Sequence, residues 1–105
     1  MFCSAAWASE KRTKSIEGSQ SLINRLESEE GQSICRTSGE EHACRADTAK
    51  LLESLVRWNK TEKRLAEIED SPSHAAEAGE LEKESVRISE DIAKESRRMK
   101  QVYVK

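Results

Sequence analysis

Cys35, His42 and Cys44 are the residues whose types and spacing come nearest to chemistry in this chain. Their pattern is C-x₆-H-x-C. A structural zinc site takes four ligands, commonly from C-x₂₋₄-C pairs. Here the fourth ligand would have to be the distant His74. A cysteine beside a histidine also suggests a nucleophile and its base. No oxyanion-donor loop accompanies this pair. The chain opens with no basic segment leading into an apolar run, so no secretory signal is read. Free thiols in a reducing compartment are therefore expected for Cys3, Cys35 and Cys44. No metal, no cofactor and no catalytic residue is expected.

Other reactive patterns fail on similar grounds. Glu29/Glu30 and Glu40/Glu41 are adjacent carboxylates. Acid–base work needs burial to move a carboxyl pKa, and these read as solvated surface. Gly18, Gly31, Gly39 and Gly79 are isolated, so there is no phosphate-cradling loop. Asn59-Lys-Thr61 matches a glycosylation sequon, but it falls inside a predicted helix.

What must position side chains here is helix. In residues 81–104, apolar or small residues recur at Leu81, Ser85, Ile88, Ile92, Ser96, Met99 and Val102. Steps of four and three place them on one narrow stripe. That stripe is the second in chain order; the first is Leu51, Leu55, Trp58, Leu65 and Ile68, widened by Leu52 and Val56 and interrupted by Glu62. Ser38-Gly-Glu-Glu41 reads as a capping box that starts this helix, which then runs to about residue 69. Asp70-Ser-Pro-Ser73 holds the only proline of the chain. Pro72 suits a first helical position, with Ser71 as its cap. Gly79 is expected to delay firm helix until residue 80. A tight hairpin would set Leu65 and Ile68 against Leu81, and Trp58 near Ile88.

Residues 1–37 show no sustained period. Residues 1–18 are rich in small residues and then basic; Glu10 and the scarcity of arginine argue against a transit peptide. Leu22, Ile23 and Leu26 allow a short helix of marginal length. The expectation is an all-α chain in two parts. Residues 1–37 form a disordered or weakly helical tail. Residues 38–105 form two long amphipathic helices, as a helical hairpin or a coiled coil.

Bulk properties agree with an extended helical assembly. Charged residues are 36% of the 105 and the apolar set 35%, against roughly 25% and 45–50% in an average globular domain. The net charge is -2 with the signs interleaved, which excludes a basic nucleic-acid-binding domain. No apolar run approaches the ~20 residues of a membrane span. The stripe residues Leu51, Leu55, Trp58, Leu65, Ile68, Leu81, Ile88, Ile92, Met99 and Val102 are the candidate interface. Trp58 reads equally as interface anchor and as packed core. The last part of the second stripe, from Ile92 through Met99 to Val102, has no convincing mate upstream, so a helical partner or a second copy is expected to cover it. Arg57, Lys60, Lys63, Arg64, Arg97, Arg98 and Lys100 are candidates for contact with an anionic membrane, where each near-surface cation is worth roughly 1 kcal/mol.

Two strings carry a resemblance to a known family. Lys63-Arg-Leu-Ala-Glu-Ile-Glu69 is similar to a K-x-A-E-x-E stretch, and Arg87-Ile-Ser-x-x-Ile92-x-Lys94-Glu95-x-x-Arg98 to an R-I-S-x-x-I-x-K-E-x-x-R-F stretch, of the distal BAR domain of sorting nexins. The resemblance spans about residues 50–100. It implies a fragment or shortened form of a dimeric helical module on curved endosomal membranes. The functional expectation is a non-catalytic helical protein-interaction module, cytoplasmic and peripheral on endosomal membrane. The alternative is a soluble coiled-coil adaptor or helical-bundle subunit with no membrane role.

Overall fold

The computed structural model describes residues 2–103, without the side chains of residues 2–9 and 29–32. The expected free thiol of Cys3 and the end of the 81–104 segment, Val104, lie outside what is described. The chain is all-α. Helix α1 spans Phe2–Glu27, α2 Glu29–Thr37, α3 Glu41–Ile68 and α4 Ala75–Tyr103; a 3₁₀ turn at Pro72–His74 precedes α4. Three of these helices are long, not two. The assembly measures 52 × 21 × 18 Å.

Helices α3 and α4 form the hairpin. Arg57 meets Glu84 and Arg64 meets Glu77, so residue numbers rise on one helix as they fall on the other. The reversal sits at Pro72, which lacks an N–H to lose and opens the 3₁₀ turn behind Ser71. Gly79 does not delay α4, which is continuous from Ala75. Leu51, Leu55, Leu65 and Ile68 of α3 and Ile88 of α4 are buried. Each such side chain contributes about 1.5–3 kcal/mol on leaving water.

Residues 1–37 depart most from expectation. Apart from the bend at Ser28 they are helix in their described part, and Ser19 and Ile23 of α1 are buried. Arg12, Ile16, Ser19, Ile23 and Leu26 follow steps of four and three, and none of them is exposed. This is a third stripe, polar at two of its five positions, and it lies along α3. Ile23 joins Leu51 and Leu55 in one apolar cluster, with Leu26, Ile92 and Met99 packed against it. The chain thus supplies its own mate for Ile92 and Met99. Of the second stripe's last part, Val102 stays exposed.

The turn into α3 also differs. Ser38 does not cap through Glu41; its hydroxyl donates to Cys35 O at 2.7 Å and accepts from the Glu40 amide at 3.1 Å. Gly39 takes φ +83°, the left-handed region that glycine enters without steric penalty. That residue reverses the chain and lays α2 against the start of α3.

Candidate functional site

The most elaborate arrangement is a polar seam between α1, α3 and α4. The Arg12 guanidinium donates from Nε to Glu62 Oε2 and from Nη1 to Glu69 Oε2, both at 2.7 Å, and from Nη2 to Glu82. The second Glu62 oxygen accepts from the Ser85 hydroxyl at 2.7 Å. Burial works against the Arg12 charge, but the hydrogen bonds to Glu62 and Glu69 outweigh it and raise its pKa above the usual value. Two turns along α1, Asn59 Nδ2 donates to Ser19 Oγ at 2.8 Å and to Ile16 O at 3.3 Å. Glu62 therefore does not interrupt the first stripe; it is where α1 and α4 meet it. A charge-assisted network of this kind fixes register between helices. Its cation is already matched by three carboxylates.

A second cluster closes the opposite end. Cys35 and Cys44 form a disulfide joining α2 to α3, nine residues apart in sequence. The expectation of free thiols is corrected here: the Gly39 reversal brings the two cysteines face to face. Tyr103 packs on this pair, with Met99 against it. The Tyr103 hydroxyl donates to Asp47 Oδ2 at 2.6 Å, and Arg98 Nη2 donates to the same oxygen at 2.9 Å. The Tyr103 bond, then the Arg98 bond, holds the Asp47 carboxyl below the ordinary carboxylate range. Asp47 in turn raises the Tyr103 pKa.

Beside these lies an apolar groove between α1 and α3. One part of it, of about 600 Å³, is lined by Glu27, Ala49, Leu52, Val56 and Arg57 among others. An adjoining part, of about 240 Å³, adds Leu26, Cys35, Arg45 and Thr48. From Arg45 to Arg57 it follows about 18 Å of α3, at 1.5 Å per residue. Its floor is apolar and its rim carries Glu27, Glu53, Arg45 and Arg57.

The structure brings most of the predicted interface residues together inside one chain. Leu51, Leu55, Leu65, Ile68 and Ile88 are buried; Trp58, Leu81, Ile92 and Met99 are half-buried; Val102 is exposed. The Trp58 indole Nε1 is covered and has no partner among the described residues. The predicted cations divide. Arg57 pairs with Glu84, Arg64 with Glu67 and Glu77, and Arg98 with Asp47 and Glu95. Lys60, Lys63, Arg97 and Lys100 are exposed. Asn59 is buried, with its amide given to Ser19, which removes it as a glycan acceptor in the folded chain. Sequence reasoning missed Arg12, Ser19, Asp47 and Tyr103; it placed Ser85 on the inward stripe without its bond to Glu62. The spacing of Arg12, Ile16, Ser19, Ile23 and Leu26 was the available signal for the first two.

Among the described residues, no group of three His, Cys, Asp or Glu side chains is placed to hold a metal ion. No helix among them is long and apolar enough to cross a membrane. No protein-family model, curated protein or solved structure matches the chain.

Proposed function

We propose that this chain is a non-catalytic helical protein-interaction module. It takes an amphipathic helix, from a second copy or from another chain, in the α1–α3 groove. The observation that carries this reading is the apolar floor of Leu26, Ala49, Leu52 and Val56, left open after the rest of the first stripe is closed into the bundle. A groove about 18 Å long matches three turns of helix, and helix-in-groove docking uses such a floor with charged rims. Leu22, exposed on α1, extends the apolar surface.

Sedimentation velocity at two concentrations, with Val56→Glu alongside, tests it. Association that rises with concentration in the wild type and disappears in a variant of unchanged helicity supports the reading. Association unaffected by Val56→Glu, or a wild type that stays monomeric and binds no apolar dye in the groove, sinks it.

The sorting-nexin-like form of this reading places the module on an anionic endosomal surface. Exposure of Lys60, Lys63, Arg97 and Lys100 favours it. Against it, Arg57, Arg64 and Arg98 are ion-paired within the chain. The two groups of exposed cations also sit towards different ends of the hairpin, since Arg98 meets Asp47 whereas Arg64 meets Glu77. Flotation with phosphatidylserine vesicles at low and high salt decides. No binding at low salt removes the membrane role and leaves the adaptor role.

A further inference from the structure

We infer that the Cys35–Cys44 bond is a redox-operated clasp on α2, and that its reduction uncovers the end of the α1–α3 groove. This inference deepens the interaction reading above and rests on it for its consequence.

Three observations carry it. First, α2 has nine residues, below the ~12–15 at which a lone helix is even marginal in water. Second, among its described side chains from residue 33 on, Cys35 is the buried one; Ser33, Ile34, Arg36 and Thr37 are exposed. The bond to Cys44 therefore ties α2 to α3 through the one described α2 side chain that is buried in the bundle. Third, Cys35 lies where two cavities meet. It lines the groove segment with Leu26, Thr48 and Leu52. It also lines a neighbouring cavity of about 250 Å³, with Leu51, Met99 and Tyr103. Swinging α2 away joins these spaces and exposes Leu26, Leu51 and Met99.

The step balances with a dithiol as reductant. Its thiolate attacks one sulfur, the Cys35–Cys44 bond breaks and a mixed disulfide forms. The reagent's second thiol closes on that intermediate and expels the remaining cysteine. The pair gains two electrons and two protons, and the dithiol leaves as a cyclic disulfide. Both cysteines are 2% exposed, so attack follows local opening of α2. Cys3 supplies a third sulfur for exchange, and Cys3→Ser removes that route.

The test is hydrogen exchange by mass spectrometry on the full chain carrying Cys3→Ser, oxidised and after dithiothreitol, beside Cys35→Ser/Cys44→Ser in the same background. Reduction is expected to speed exchange in residues 29–37 on the order of ten- to a hundred-fold, the range that loop closure over so short a segment supplies. Residues 51–68 keep their protection, and anilinonaphthalene sulfonate fluorescence rises with helicity largely retained. Unchanged exchange in residues 29–37 overturns the clasp. Protection lost throughout the bundle also overturns it, because the bond is then a staple of the whole fold. Opening of α2 with Val56-dependent association unchanged overturns the control of the groove by the clasp, whereas absence of any Val56-dependent association in either redox state removes the interaction reading instead and leaves the clasp standing.

Discussion

Glu62 sits 2.7 Å from Arg12 across fifty residues of sequence, with its second oxygen on Ser85. One α3 side chain thus addresses α1 and α4 together. Removing the cation leaves three carboxylates facing one another in a partly dry seam. Arg12→Ala is expected to destabilise the chain by about 2 kcal/mol, below the 3–5 of a fully buried pair because Glu82 remains half in water. Thermal melting followed by circular dichroism should fall by about 10 °C. A melt within two or three degrees of wild type, at about that precision, sinks the assignment of Arg12 as the joint.

Leu65 is 1% exposed, whereas Val102 is 38% exposed. Leu65→Ala should cost about 3 kcal/mol in urea unfolding through lost burial and the cavity left behind. Val102→Ala should stay within about 0.5 kcal/mol. Equal losses at the two positions contradict the placement of the second stripe.

Trp58 keeps its ring half in the bundle and its Nε1 covered without a partner among the described residues. A covered donor without an acceptor costs about 1–3 kcal/mol. Trp58→Phe removes the donor and retains aromatic packing, so it should be neutral or stabilising in chemical denaturation. A loss of more than about 2 kcal/mol would show that the indole N–H is satisfied.

The Asp47–Tyr103 contact sets a pH window. Asp47 is shifted down, so its share of stability is present above the unfolded carboxylate value and is lost as pH falls through the lower folded one. Tyr103 is shifted up, so its share is complete below the unfolded phenol value of about 10 and is lost as pH rises through the higher folded one. Tyr103→Phe should abolish the alkaline loss while retaining acid sensitivity through Asp47 and Arg98. Melting temperatures from pH 3 to 11, roughly spanning both ordinary values, check this; an unchanged alkaline limb in the variant argues against the bond.

The sequence made α3, α4 and the break between them legible because their signals are apolar and local, while hairpin and coiled coil both stayed open. Leu51, Leu55, Leu65, Ile88 and Ile92 repeat at helical spacing, and Pro72 marks the reversal in the right place. Helix α1 was hidden because its inward positions include Arg12 and Ser19, which hydropathy patterning scores as surface. Their partners Glu62 and Asn59 lie fifty and forty residues away, and Glu62 looks like a defect in its own stripe. Only pairing them makes them inward-facing. The disulfide was missed for a related reason: the opening residues argue only about compartment, while proximity of Cys35 and Cys44 depends on the backbone of Gly39.

The position of Arg12 also bears on the order in which the chain folds. The α3–α4 hairpin closes over a short connection and can form early. Until α1 arrives, Glu62, Glu69 and Glu82 converge near its closed end with no cation between them. Their repulsion keeps that end loose, and docking of Arg12 relieves it. Salt should therefore hasten hairpin closure by screening the carboxylates and slow the later capture of α1. Refolding would then show two phases with opposite responses to ionic strength, and α1 would act as the timing element of the fold.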